Sequence, residues 1–175
     1  MTETPPFYHA CVPVMLRALG RLDATLARAT RELGPLLPAA LETRPAPGML
    51  PAGQQVATAV QFTLRTAFPL AGRRTPELRG PITGDGLAGR LAEARALLEG
   101  LPPADFGGAE ARLVRGQAGF ADLELPGAVF LSDFGLPNVY FHHAMAHVAL
   151  KQAGLGLGKA DFDGLHIYPD GFSFG

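Results

Sequence analysis

The sequence predicts an all-α protein, a four-helix bundle with a small β-hairpin before the last helix. Three observations predict it. Apolar residues recur at three- and four-residue steps in four separate segments, the period of one helix face. Proline and glycine clusters stand between those segments, where helices stop. Ahead of the fourth segment the period changes, and two short runs partly alternate apolar with polar residues. The chain has 175 residues, of which 47% are hydrophobic and 18% charged. That suits a single domain over residues 1–175, with an aromatic C-terminal extension at 165–175.

In the first segment Val12, Met15, Leu16, Leu19, Leu22 and Leu26 share a face, and Arg17, Arg21, Arg28 and Arg31 fall mostly off it. The spacing predicts a helix from about Phe7 to Leu33. Pro13 is tolerable only near its start, and Gly34-Pro35 stops it. Residues 34–50 read as a connection. The second helix begins at Pro51, a good first helical position, carries the stripe Val56, Val60 and Leu64, and ends at Pro69 and Gly72. Arg73, Arg74 and Arg79 then read as a solvated loop, with an anion site as the competing reading. Thr83 is a suitable N-cap for the third helix, whose core face is Leu87, Leu91, Ala94 and Leu98.

The alternating runs are Glu110–Arg115 and Phe120–Leu125, and the stretch Gly116–Gly119 between them reads as the hairpin turn. The last helix runs from about Gly127 to Ala153, with Gly154 as its cap and Pro137 as an internal kink. Beyond it, Phe162, Ile167, Tyr168, Phe172 and Phe174 are too apolar for a solvated tail. They are expected to pack on the bundle or on a second subunit.

The formal charge of −1 gives no electrostatic reason to expect nucleic acid or an anionic membrane as partner. No 18-residue apolar stretch is free of charge, so no membrane span is expected. Arg17 and Arg21 interrupt the apolar run that a signal peptide would need. Cys11 is the single cysteine, so no intrachain disulfide forms and a cytoplasmic location is expected. Cys11 reads as a buried cysteine, or as an activated thiol should His9 and the helix lower its pKa. The glycines of Gly154-Leu155-Gly156-Leu157-Gly158-Lys159 follow a helix with no strand before them, which is not the context of a phosphate loop.

The last helix holds three of the five histidines. His143 and His147 are four residues apart, a spacing that lets two imidazoles reach one metal ion. A third ligand would come from His9, His166 or Asp133. The competing reading puts both on the outer face. His142 lies in line with Asn138, beside Pro137, where a kink frees a backbone carbonyl and polar groups can line a cavity. The competing reading there is a buried His142 bonded to Asn138 or to that carbonyl. On the second helix Gln55 borders the apolar stripe and can orient a ligand by hydrogen bonds, although an amide is a poor transition-metal ligand.

Several segments together resemble a known family. They are Met49-Leu50-Pro51 with Gln55-Val56, Leu136-Pro137-Asn138-Val139-Tyr140-Phe141-His142, and Leu157-Gly158-Lys159-Ala160-Asp161-Phe162, with Tyr8 and Cys11-Val12-Pro13-Val14 at the start. From Phe7 to Gly164 the chain resembles a bacterial family of unknown function in the DinB-like superfamily of metalloenzymes. The resemblance implies an up-down-down-up four-helix bundle, usually a homodimer. It also implies three metal-binding histidines, one on the second helix and two on the last, which serve thiol transferases and isomerases. The matching positions here are Gln55, Asn138 and His142, so one histidine of the three survives. The leading expectation is a degenerate metal site that binds a small ligand in a pocket of Gln55, Asn138, Phe141 and His142. One alternative is a Zn²⁺- or Ni²⁺-dependent thiol transferase or hydrolase, with the ion on His142, Asn138 and Gln55, or on the pair His143 and His147. The other is a structural or interaction protein whose aromatic tail is the contact surface.

Overall fold

The structure, a computed structural model, describes residues 4–169 and residue 172. In chain order the elements are α1 (Pro6–Leu33), α2 (Leu37–Leu41), α3 (Ala52–Leu70), α4 (Gly84–Glu99), β1 (Leu113–Ala118), β2 (Ala121–Pro126), α5 (Gly127–Val129), α6 (Leu136–Gln152) and α7 (Lys159–Asp163). The protein is mostly helical, and the expected hairpin stands before the last long helix. α3 lies between α4 and α6, with α6 its most extensive partner, and α1 closes the other side against α4 and α6. Met15, Leu19 and Leu22 of α1, Leu64 of α3, Leu87 and Leu98 of α4, and Leu150 of α6 meet in the core.

Burial differs between helices, as their sequences require. α4 buries Leu87, Leu91, Ala94 and Leu98 and nothing else, and the Thr83 side chain caps it by accepting the Gly86 N–H at 3.2 Å. α3 is buried nearly all round, including Gln55, Thr63 and Thr66, as a helix in the middle of a bundle must be. Its threonine hydroxyls satisfy themselves locally: Thr63 donates to the Val60 carbonyl at 2.7 Å and Thr66 to that of Phe62 at 2.8 Å.

Three expectations are corrected. The connection over 34–50 contains a 3₁₀ turn, Gly34–Leu36, and the short helix α2, which bury Leu37, Ala40 and Leu41 against the bundle. The hairpin turns at Gly119-Phe120, with Ala118 paired to Ala121, so Gly116 and Gln117 belong to β1. Gly119 takes φ +60°, which an L side chain disfavours. Gly116 serves close approach instead, since a Cβ there would meet Phe130 Cε2 at 2.7 Å.

The third correction concerns Pro137. The chain from Gly127 to Gln152 stays helical throughout, but Phe130–Gly135 is wound as a π-helix, so that Pro137 falls in the first turn of α6. The Leu136 N–H still closes on the Leu131 carbonyl, so the bond that Pro137 lacks falls where the π turn meets α6, and the irregularity lies in the turn before the proline. Within the single chain, Leu165 and Ile167 of the extension are exposed. Tyr168 stacks between His166 and Phe172, at centroid distances of 5.9 and 5.0 Å. Phe174 lies outside the described residues.

The π turn brings Gly135 against α3, where an added Cβ would lie 2.3 Å from Thr66 Cγ2 and 3.0 Å from Thr66 Cβ. Thr66 is fully buried and has no room to yield. Gly135→Ala is therefore expected to destabilise the fold by about 1–3 kcal/mol, the usual cost of overpacking, despite alanine's better helix propensity. An unchanged urea midpoint would show that α3 and the last helix part without cost.

Candidate functional site

Gln55 sits in the first turn of α3, 1% exposed, and is fixed at both ends of its amide. Its Nε2 donates to the Leu50 carbonyl at 3.2 Å, and its Oε1 lies 2.7 Å from His142 Nδ1. A carbonyl only accepts, so the amide nitrogen must face Leu50 and the oxygen must face the imidazole. His142 Nδ1 therefore carries the hydrogen and donates to Gln55, which leaves the lone pair on Nε2. Partial burial lowers the pKa of His142, so the ring is neutral at pH 7.

Aromatic rings hold this imidazole. Phe62 of α3 stacks on it at 5.5 Å and 17°, and Phe141 meets it edge-on at 5.2 Å. The Arg65 guanidinium lies 4.5 Å from the Phe62 centroid. Asn138 does not join the pair, because its Nδ2 donates to the Phe134 carbonyl at 2.7 Å, inside the π turn. The structure thus brings Gln55, Phe141 and His142 together and turns Asn138 to the backbone. His142 bonds neither Asn138 nor a freed carbonyl.

This is a poor donor set for Zn²⁺ or Ni²⁺. An amide oxygen is a weak ligand for either, and that of Gln55 is already bonded to the single imidazole. Among the described residues, no group of three or more His, Cys, Asp or Glu side chains is placed to hold a metal ion. Of the third ligands considered for His143 and His147, His9 packs edge-on to Tyr8. Asp133 accepts the Ser132 hydroxyl at 2.6 Å, and His166 is bonded to Asp163.

The outer-face reading of His143 and His147 is overturned. His143 is 2% exposed, and Val139 and Leu150 on the same face are fully buried. Phe162, expected to pack on the bundle or on a second subunit, supplies the cover. Phe162 of α7 lies 4.4 Å from the His143 ring and 6.0 Å, edge-on, from that of His147. Asp161 fixes α7 there by accepting the Gly158 N–H at 2.8 Å and pairing with Arg28 of α1 at 3.0 Å. The sequence signal for that contact was the apolar Phe162 after a glycine-rich loop; its target on α6 was not legible. His143 Nε2 and His147 Nδ1 are buried without a hydrogen-bond partner. Burial, with His147 and Arg21 nearby, pushes His143 down to about 4. Burial also lowers His147, with Asp161 pulling the other way.

Cys11 is fully buried, and desolvation pushes its thiol up to about 12. That is the opposite of activation, so the thiolate reading falls.

The sequence pattern of a domain of unknown function, DUF1993, matches residues 7–163. No curated protein matches the chain. Among solved structures the chain is similar to a DinB family member protein from Shewanella denitrificans, at 26% identity and a TM-score of 0.80, over 93% of this chain and 94% of that one.

Proposed function

The chain belongs to the DUF1993 family and has a DinB-like fold, and from that premise we propose that it is a small-ligand-binding bundle whose metal site is degenerate. The observation that carries this reading is the Gln55–His142 hydrogen bond of 2.7 Å. Where a metal-binding relative would place imidazoles, this chain has an amide bonded to its one imidazole. That arrangement fixes the tautomer of His142 and presents Nε2 as an acceptor for a ligand's N–H or O–H group, with Phe62 and Phe141 beside it for an apolar part. The helices are taken in the up-down-down-up order, and a homodimer belongs to the same reading. Exposed Leu113 would support such a dimer, and light scattering measures it.

The test combines elemental analysis with imidazole NMR on protein purified without a histidine tag or chelator. The expected result is no stoichiometric transition metal, and ¹⁵N shifts of His142 that show the neutral Nδ1–H tautomer at pH 7. Stoichiometric zinc or nickel that is lost in His142→Ala would overturn the degenerate-site reading. A metal-dependent thiol transferase or hydrolase is the second reading, favoured by the two unpartnered nitrogens of His143 and His147. It requires both to turn to one ion, and metal lost in His147→Ala would establish it.

A further inference from the structure

A cavity of about 550 Å³ opens on the α1 side of α6, away from the Gln55–His142 pair. α1 lines it with Arg17 and Arg21, α4 with Arg95, α6 with Tyr140 and His143, and α7 with Phe162. Its size lies in the range of sites for small organic ligands. Neither Gln55, Asn138, Phe141 nor His142 borders it.

The lining has a definite chemistry. Three guanidiniums face one carboxylate, that of Asp163, which already accepts the N–H groups of Leu165 and His166 at 2.8 and 3.1 Å and the His166 ring. Arg17 and Arg21 have no ion-pair partner among the described residues, and Arg95 has only Glu99, at 4.0 Å. A glycine makes room for one of these cations: a Cβ on Gly164 would lie 2.7 Å from an Arg21 guanidinium nitrogen. The buried Nε2 of His143 is unpartnered, a state that costs stability unless something else supplies the bond. The remaining walls are apolar, with Val14, Leu16 and Leu165 beside the two rings.

We propose that this cavity binds an amphipathic organic anion, its carboxylate or phosphate head held by Arg21, Arg17 and His143, and its apolar body against Tyr140 and Phe162. Planar guanidiniums suit either oxyanion head. The neutral imidazole serves that head as the Nε2–H tautomer, its N–H donating to the oxyanion.

Calorimetric titration of the full chain at pH 7, at low salt and without phosphate buffer, tests this with octanoate, octyl phosphate and 1-octanol. Octanoate or octyl phosphate is expected to bind, the tighter of the two identifying the head group, and octanol to bind about tenfold or more weakly. Arg21→Gln is expected to weaken the anion by about tenfold or more. Arg17→Gln, at an exposed residue that the fold does not need, should shift affinity in the same direction. His142→Ala should leave it unchanged, which separates this cavity from the Gln55–His142 site. Octanol that binds as well as octanoate, an absence of binding by both anions, or affinity lost in His142→Ala but kept in both arginine variants would each overturn the proposal.

Discussion

Replacing Phe130 by alanine is expected to cost about 3–5 kcal/mol of folding stability, the range for a buried aromatic ring. Phe130 is fully buried and begins the π turn. Its ring packs on Phe134 at 5.1 Å and covers Gly116 of β1, where no Cβ fits. The side chain therefore joins two elements that are weak alone. A two-stranded hairpin is marginal in water without a surface to lie on, and a π turn is a less favourable helix that packing must support. Removing the ring leaves a cavity and unfastens the hairpin together, so little of the void can be recovered by collapse. Urea denaturation gives the magnitude, and hydrogen exchange gives the location, with amides of Val114–Leu123 expected to lose protection. Phe120→Ala at the exposed turn is the control, expected to change stability by less than about 0.5 kcal/mol. A Phe130→Ala loss as small as that control would mean the hairpin is held by something else.

The contrast between these two phenylalanines shows what the sequence could and could not specify. Local rules located the start and the core face of α4, because its cap and its four core positions all lie within one continuous helical period. They failed at the hairpin turn, because Gly116 and Gly119 are equivalent in local chemistry. The choice was made by the Phe130 ring arriving from a later element. The same limit governed the histidines. α6 is apolar on more than one face, so periodicity cannot say which face is inside. That was decided by Phe162 of α7, which was expected to pack on the bundle or on a second subunit but with no partner helix legible. Gln55 and His142 are 87 positions apart, and no spacing rule can pair them. Their meeting required the family resemblance, while the loss of Asn138 to the Phe134 carbonyl needed the π turn itself.

Stability is expected to fall as pH drops from 7 toward 4, with His143 supplying a separable part of the fall. Its pKa in the fold is about 4, against about 6.5 in the unfolded chain. Above pH 6.5 neither state holds the extra proton, and the group contributes nothing. Between 6.5 and 4 the unfolded chain takes up a proton that the folded chain refuses, so each proton bound favours unfolding. The penalty is about 2 kcal/mol at pH 5 and levels off near about 3 kcal/mol below pH 4. The groups that face His143 and His147 act mainly in the same sense. Arg21 disfavours a charged His143, Lys151 disfavours a charged His147, and Asp161 opposes them at His147. His142 is also lowered, by burial, and steepens the slope in the same window. The measurement is the urea midpoint at pH 7 and pH 5 for the wild type and for His143→Leu. The variant loses a buried nitrogen that has no partner, so it should match or exceed the wild type at pH 7. On acidification it should lose about 2 kcal/mol less. Parallel losses in the two proteins would mean that His143 is charged in the fold, and that an anion or a water not yet identified sits at Nε2 to keep it so.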